Sequence, residues 1–331
     1  MYNFNFPSIG VLLTSRNNYD FMEKYWIPRT IEFCDIGNIK ILNIDEDSTE
    51  EEKNKGKKLC KKYNIYFMDR ENRGMLNNLD TATRFFSPEI KYIVWFQHDS
   101  WPLQKDFFRL FDEIVFSGKL DEFGVVGFNA IAQNIFKGEG EYEDVIKKFN
   151  DGEKPIAVLA RGFVGQGDHY YCGCKSTKIK TLINSNLFSN PFAIESPAWY
   201  SSSVNVKKFK ENIDLSHKFY FHKSWDDIAF QFLNKNIYNI AIPSLYIDHR
   251  PDLKENLGLP VTSVRLVKKG DDTFHSLVGF NPNEWIGQWG FDFEKRATFE
   301  NIKEKYKGTL IYDFYNHDYR KGPLRTFKGI I

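Results

Sequence analysis

The sequence predicts an α/β fold in which a mainly parallel sheet is flanked by helices. Over the first hundred residues, short apolar runs alternate with longer segments whose apolar residues recur at helical spacing. Each apolar run also stops abruptly at polar residues, as a buried strand does where it enters a loop. Because α/β sheets bind ligands beyond the carboxyl ends of their strands, these polar stops predict where a site would lie.

Four apolar runs are predicted strands, and three segments between them are predicted helices. The strands are SIGVLLTS, NIKILNI, IYFMD and KYIVWF, and the helices are YDFMEKYWIPRTIEFC, which Pro28 interrupts, EEEKNKGKKLCKKYN and RGMLNNLDTATRFF. The four strand ends read TSRNN, DEDS, DRENRG and QHDS. One polar end is ordinary, whereas four in succession predict one shared site.

From about residue 123 the alternation is looser. FGVVGFNAIA predicts a strand and loop, AWYSSSVNVKKFKEN a strand and a helix, and SWDDIAFQFLNKN a helix with Ser224 as its N-cap. IYNIAIPSLYIDHRP predicts a pair of strands that ends at a histidine. The glycine-rich GFVGQGDHYYCGC fits a mobile acceptor loop or lid, and it fits an ordinary insertion equally well.

Composition excludes several classes of protein. The 45 Lys+Arg residues balance 44 Asp+Glu residues, which gives no strong attraction to nucleic acid or membrane, although the basic patch KNKGKKLCKK leaves nucleic acid open. The four cysteines lack zinc-site spacing and suit a reducing compartment. No run approaches the roughly 18 to 20 apolar residues of a membrane span, and the start does not resemble a signal peptide. We therefore expect a soluble, cytoplasmic protein.

The QHD end of the fourth strand is the first candidate for chemistry. A carboxylate at this position, Asp99, can hold a hard divalent cation that also contacts phosphates, or it can merely cap the loop. His98 can help to hold the cation or can form a hydrogen bond with the acceptor. The late His249 in YIDHRP suits a metal ligand or a phosphate contact, and also an ordinary loop histidine.

Two further acidic pairs are candidates. Asp45 and Asp47 in NIDEDST can accept hydrogen bonds from a nucleobase or a ribose, or can simply lead into the charged helix that follows. Asp226 and Asp227 open the predicted helix SWDDIAFQFL, where one can act as a base and the other can tune it. The alternative for this second pair is a helix start with good dipole complementarity.

In their order along residues 8–252, these segments resemble the GT-A glycosyltransferases, and within them the inverting family 2-like group. IGVLLTSRNN is similar to the opening strand and nucleotide loop, and NIDEDST to the DDxSxD turn. ENRGMLNNLDTA is similar to the Asn-x-Gly segment, and YIVWFQHDS lies where the Asp-x-Asp metal motif is expected. WDDIAFQF resembles the Glu/Asp-Asp motif, and IDHRP resembles the late metal-binding histidine. The chain departs from the pattern at Gln97, which replaces the first acid of the metal motif.

The resemblance implies transfer of a sugar, with inversion, from a nucleotide-diphosphate donor, by preference UDP-linked, to a hydroxyl of a glycan or other acceptor. It implies Mn²⁺ or Mg²⁺ on Asp99 and His249, with Asp227 as base and Asp226 as the second choice. Nucleotide-sugar contacts would come from Thr14, Arg16, Asp45, Asp47, Asn72, Gly74, Gln97 and His98. Trp199 and Trp225 can stack on sugar faces or pack in the core.

The implied domain boundaries follow from the same resemblance. A glycosyltransferase domain would span 1–270, with a nucleotide-sugar half at about 1–125 and an acceptor half at about 126–270. A C-terminal extension would cover 271–331.

Three other classes of function stay open on the sequence. A nucleotidyltransferase would share the sheet and the metal-binding acids, but it normally has a glycine-rich basic phosphate loop, and TSRNN has one arginine and no glycine. A non-catalytic glycan-binding protein would keep the aromatic residues without needing the acids. A sugar transferase acting on DNA would use a local basic patch such as KNKGKKLCKK.

Overall fold

A computed structural model gives the architecture of this chain. It describes residues 8–32, 39–71, 74–86, 88–132, 159–161, 169–171, 189–197, 202–215, 224–250, 253–254, 257, 264–269, 272–277, 304–308 and 323–331. Among these residues, no helix combines the length and the apolar character needed to cross a bilayer.

A nine-stranded sheet forms the centre of the molecule. Its strands are β1 (Ile9–Ser15), β2 (Lys40–Glu46), β3 (Tyr66–Arg70), β4 (Tyr92–Gln97), β5 (Ser100–Pro102), β6 (Val125–Ala132), β9 (Phe192–Ile194), β11 (Ser202–Asn205) and β12 (Asn239–His249). The order is β3-β2-β1-β4-β11-β6-β12-β5, and β9 also pairs with β12. Strands β1 to β4, β6 and β12 run in one direction, whereas β5, β9 and β11 run opposite. The predicted α/β class with a mainly parallel sheet is confirmed.

Small strand pairs accompany the main sheet. Strands β7 (Leu159–Arg161), β8 (His169–Tyr171) and β10 (Ser196–Pro197) form a three-stranded sheet. Strands β13 (Val264–Lys269) and β14 (Asp272–Leu277) form a hairpin. This hairpin crosses the domain boundary predicted at residue 270.

Helices cover both faces of the main sheet. They are α1 (Tyr19–Phe21), which continues into π-helical turns at Met22–Trp26 and Pro28–Glu32, then α2 (Glu50–Lys62), α3 (Met75–Phe85), α4 (Phe107–Phe116), α5 (Val206–Asn212) and α6 (Ser224–Asn234). Alternate residues of β1 enter different cores: Val11 packs in the cluster that contains Trp26 and Phe107, and Leu12 packs with Leu79 and Trp225. The two cores hold the helices against opposite faces.

The predicted strand pair near the late histidine is a single strand. β12 runs for 11 residues, and its register against β6 shifts between Ile242 and Tyr246. Pro243 lies within this shift, and proline is tolerated in a sheet where the regular ladder is broken. The strand therefore continues past the proline and carries His249 to its end.

Residues 323–331 pack onto the main domain. Ala193 donates its backbone N–H to the Arg325 carbonyl at 2.9 Å, and the Phe327 N–H donates to the Pro191 carbonyl at 2.7 Å. The Phe327 ring contacts Phe123 edge-on with centroids 4.9 Å apart. This part of the predicted extension belongs to the core of the domain.

Candidate active site

Three strand ends meet at one edge of the sheet. In the parallel register, Thr14 of β1 lies beside Gln97 of β4, and Ser15 lies beside Asp45 of β2. The polar residues that follow these strands therefore share one edge, as the sequence predicted. The backbone N–H of Gln97 donates to Ser100 Oγ at 3.1 Å, which tightens the turn that carries His98 and Asp99.

Asp99 and His249 come together at this edge from distant parts of the chain. β5 runs antiparallel to β12 and sets Ser100 opposite His249. Asp99 Oδ1 then lies 3.5 Å from His249 Nε2, and both side chains are buried. The Arg250 N–H donates to the Asp99 carbonyl at 2.8 Å and fixes the two segments to each other.

A lysine that the sequence analysis did not single out completes this cluster. Lys254 Nζ lies 2.7 Å from Asp99 Oδ2, so the carboxylate has His249 on one oxygen and an ammonium on the other. Lys254 follows His249 by five positions, in HRPDLKEN. Nothing in its local sequence marks it, because its partner Asp99 is distant in the sequence.

The cluster fixes the charge states of its members. Burial opposes ionisation of Asp99, but the positive charge of Lys254 and the contact with His249 outweigh burial and hold its pKa well below the usual value. Burial, reinforced by the Lys254 charge, lowers the pKa of His98 to about 3. At neutral pH, Asp99 is a carboxylate and His98 is a neutral ring packed edge-on against Phe21.

The Asp99–His249 pair fits a divalent cation that is shared with a phosphate ligand. Asp99 Oδ1 is buried and makes no hydrogen bond within the described residues. No group of three or more metal-binding side chains occurs among those residues. Mg²⁺ is typically held by one or two protein groups together with substrate phosphates, so two donors suffice where the ligand supplies the rest.

Asp45 is turned inward, which corrects its predicted contact with a nucleobase or ribose. Its Oδ2 accepts a hydrogen bond from the Tyr19 hydroxyl at 2.5 Å, its Oδ1 accepts from the Ser48 N–H at 3.0 Å, and the side chain is fully buried. Burial and the Asp45 charge raise the pKa of Tyr19, so the phenol keeps its proton and donates. Asp45 holds the loop in place.

Arg16 and Asp47 lie at the surface of the same edge. Asp47 is exposed, has a φ of +67°, and places Oδ2 3.9 Å from Arg16 Nη2. The Nε and Nη1 atoms of Arg16 are buried, and no described residue accepts a hydrogen bond from them. These N–H groups can therefore donate to a ligand, and the nucleotide contact of Arg16 stays a prediction.

Gly74 lies just before α3, and the polar groups beside it reach the end of β2. Its φ of +77° favours glycine, and its carbonyl accepts from the Asn78 N–H at 3.2 Å. Asn78 Nδ2 donates to Glu46 Oε1 at 2.7 Å. Burial raises the pKa of Glu46, another polar residue that the sequence analysis did not select. The predicted contact Asn72 lies outside the described residues.

The acidic pair of α6 is bound to other parts of the chain. Asp227 Oδ1 accepts from the Tyr306 hydroxyl at 2.5 Å and from Lys305 Nζ at 2.7 Å, while its Oδ2 accepts from Gln231 Nε2 at 2.9 Å. Asp226 Oδ1 accepts from Ser196 Oγ at 2.8 Å. Both carboxylates are buried, and an acceptor would reach Asp227 only after residues 304–308 moved away.

Trp225 packs in the core, which is one of the two roles that the sequence left open for it. Its ring is buried and meets Trp95 of β4 edge-on at 5.6 Å between centroids. The apolar side of α6 faces the sheet, so Trp225 points inward. Trp199, the other candidate for stacking, lies outside the described residues.

Comparison with known proteins gives distant similarity of fold. No protein-family model and no curated protein matches the sequence. One similar solved structure is GalNAc-T7 with UDP, GalNAc and Mn²⁺, at 11% identity over 75% of this chain and 44% of that chain, with a TM-score of 0.49. Another is the mannosyltransferase PcManGT from Pyrobaculum calidifontis with GDP-Man and Mn²⁺, at 11% identity over 75% of this chain and 57% of that chain, with a TM-score of 0.43. The chain spans about half the length of these two proteins, and similarity at this level assigns no residue role.

Proposed function

We propose that this protein is a GT-A-type glycosyltransferase that moves a sugar from a nucleotide-diphosphate donor to an acceptor hydroxyl. The meeting of Asp99 and His249 at 3.5 Å, at the ends of β4 and β12, carries the proposal. Such a buried carboxylate–imidazole pair, with one carboxylate oxygen free of hydrogen bonds within the described residues, suits a cation on a diphosphate. The mainly parallel sheet supports the proposal, because ligands of α/β proteins bind at this edge.

The donor would lie across the ends of β1, β2 and β4. Arg16, with its unsatisfied N–H groups, and the exposed Asp47 would contact the nucleoside diphosphate, and Thr14, Gln97 and His98 would line the floor. We favour a UDP-linked sugar as donor. Asp99 and His249 would hold Mn²⁺ or Mg²⁺, and when bound this ion would neutralise charge on the leaving diphosphate.

The proposed chemistry is a single displacement with inversion. The acceptor oxygen forms a bond to the anomeric carbon, the bond from that carbon to the diphosphate oxygen breaks, and the acceptor proton passes to a base. We assign the base to Asp227, with Asp226 as the second choice, on condition that Lys305 and Tyr306 leave the Asp227 carboxylate. A positioned base contributes roughly 100- to 10,000-fold to the rate.

The direct test measures release of UDP or GDP from a panel of UDP- and GDP-linked sugars in the presence of Mn²⁺, with glycan acceptors added in turn. We expect release from at least one donor, and stabilisation of the protein against heat by the same nucleotide. Pyrophosphate release from nucleoside triphosphates would instead identify a nucleotidyltransferase. Glycan binding without any turnover or nucleotide binding would identify a binding protein.

The assignment of the base has its own test. Asp227→Asn keeps the size of the side chain and removes its ability to accept a proton. We expect turnover to fall by about 100-fold or more while the nucleotide still binds. Turnover near that of the unmodified protein would remove Asp227 from this role, and Asp226→Asn would then be measured in the same way.

A further inference from the structure

We propose that Lys254 is a built-in cation of the diphosphate site, which allows a nucleoside diphosphate to bind there without a divalent metal. The inference rests on the proposed function and deepens it. It assigns to a lysine part of the charge neutralisation otherwise expected from the metal alone.

The placement of Lys254 is the first observation. Its Nζ lies 2.7 Å from Asp99 Oδ2, and the side chain is only 11% exposed. An ammonium has three N–H donors, and Asp99 is its one carboxylate partner among the described residues. We infer that another of these donors contacts an oxygen of a ligand bound against Asp99.

The charge of the cluster is the second observation. The Lys254 ammonium and the Asp99 carboxylate form an ion pair at 2.7 Å in which both side chains are largely buried. A diphosphate brings several negative charges, so a fixed ammonium beside it is favourable where water is excluded. A divalent ion on Asp99 Oδ1 would lie close to the same ammonium, and repulsion between the two cations weakens metal binding.

A purely structural role for Lys254 predicts a different outcome. In that case the lysine would stabilise the folded protein through Asp99 and would not affect nucleotide affinity. Lys53 offers a matched comparison, because its side chain is 13% exposed and pairs with Asp69 at 3.1 Å, away from the Asp99 cluster.

The experiment is calorimetric titration of UDP, and separately of GDP, into the full chain, once with EDTA and once with Mn²⁺. We expect the unmodified protein to bind one of them in EDTA within about 5-fold of its affinity in Mn²⁺. Lys254→Met should weaken binding in EDTA by about 10- to 100-fold, the range for a lost hydrogen bond between charged groups, and Mn²⁺ should restore most of it. Lys254→Arg, which keeps the charge in a larger side chain, should bind more tightly in EDTA than Lys254→Met does. Lys53→Met should stay within about 5-fold of the unmodified protein.

Two results would overturn the role of Lys254 and leave the transferase proposal standing. One is nucleotide binding by the unmodified protein that is lost in EDTA, and the other is a Lys254→Met protein that binds in EDTA as tightly as the unmodified one. If the unmodified protein binds neither UDP nor GDP, whether in EDTA or in Mn²⁺, the proposed function is overturned as well. Should Lys254→Met fail to fold, the unmodified protein in EDTA still decides the question, and Lys254→Arg checks the charge.

Discussion

Two buried carboxylates, Asp99 and Asp227, have the same immediate partner and different surroundings. Each has a lysine Nζ at 2.7 Å. Asp99 keeps Oδ1 without a hydrogen bond among the described residues, next to an imidazole. Both oxygens of Asp227 accept hydrogen bonds, from Lys305, Tyr306 and Gln231. A buried Asp–Lys pair therefore does not by itself mark a site. What distinguishes Asp99 from Asp227 is its Oδ1 atom, which has no hydrogen bond among the described residues.

The partners of the two carboxylates also come from different places in the chain. Lys254 follows the strand that carries His249, so the Asp99 cluster gathers groups at one edge of the sheet. Lys305 lies 78 positions after Asp227 and brings a remote turn onto α6. We therefore expect Asp99 to meet a ligand, whereas Asp227 in this arrangement joins two parts of the fold.

The largest expected effect concerns turnover at Asp99. Asp99→Asn removes the negative charge that positions the cation and Lys254, so we expect donor turnover to fall by about 100-fold or more, as judged by UDP or GDP release. Asp121→Asn, in an exposed pair with Lys91, is the control and should stay within about 2-fold. If Asp99→Asn retained turnover, the reaction would not depend on Asp99. The proposed difference between Asp99, as a ligand site, and Asp227, as a structural contact, would then be wrong.

The next effect concerns stability at Asp227. Asp227→Ala removes the carboxylate that accepts from Tyr306, Lys305 and Gln231, and leaves only the longer contacts of Tyr306 and Gln231 with backbone carbonyls, at 3.2 and 3.5 Å. We therefore expect a loss of about 3 kcal/mol in the free energy of unfolding, measured by urea denaturation. The exposed Asp47→Asn, which keeps a residue type suited to the positive φ of this position, should change it by less than about 0.5 kcal/mol. A loss at Asp227 no larger than that of the control would show that the carboxylate does not hold the turn.

A smaller effect distinguishes the structural role of residues 304–308 from the transfer reaction. Tyr306→Phe removes one donor to Asp227 and keeps the ring, so the free energy of unfolding should fall by about 1.5 kcal/mol. Turnover should be retained, because the phenol blocks Asp227 in this arrangement and is not part of the reaction. Tyr66→Phe, at an exposed ring, is the control for stability. Loss of turnover in Tyr306→Phe would instead make the phenol part of the catalytic machinery.

The smallest expected effect concerns the pH dependence of stability at Cys60, a buried thiol whose pKa is not lowered by a neighbouring cation. Burial, with a contribution from the Asp45 charge, raises the pKa of this thiol to about 12, whereas Lys254 drives the pKa of buried Asp99 down. Between the unfolded pKa of about 8.5 and about 12, the unfolded chain has lost a proton that the folded chain still holds. Stability therefore falls as pH rises through this window, by at most about 1.4 kcal/mol per pH unit from this group.

Urea denaturation at pH 8, 9 and 10 measures that slope, and Cys60→Ala is the comparison. The variant should lose less stability per pH unit than the unmodified protein, whatever constant cost the cavity adds. Equal slopes of stability against pH in the two proteins would show that burial does not raise the pKa of the Cys60 thiol.

Much of the fold was predictable because it depends on local patterns. The alternation of apolar runs and helical segments identified β1 to β4, α2 and α3, and the polar strand ends placed Thr14, Gln97 and Asp99 at one edge. The misplaced features depend on long-range contacts. The strand pair predicted from IYNIAIPSLYIDHRP is the single strand β12, because a register shift against β6 accommodates Pro243.

The site was less predictable for the same reason. The inward turn of Asp45 depends on Tyr19, which reaches it from α1, and the burial of Trp225 depends on its contact with Trp95. Lys254, Lys305 and Tyr306 have no local signal, because the partner of each lies far away in the sequence. Sequence patterns identified the carboxylates, and the structure was needed to find what binds each of their oxygens.

The packing of residues 323–331 has a consequence for how the chain folds during synthesis. Phe327 covers Phe123 and Tyr238, and Ile330 is buried in the same core. While residues 323–331 are still inside the ribosome, the rings of Phe123 and Tyr238 therefore lack the cover that Phe327 gives them in the folded domain. We expect such nascent chains to depend on chaperones until this segment emerges, because exposed apolar surface in incomplete domains promotes aggregation.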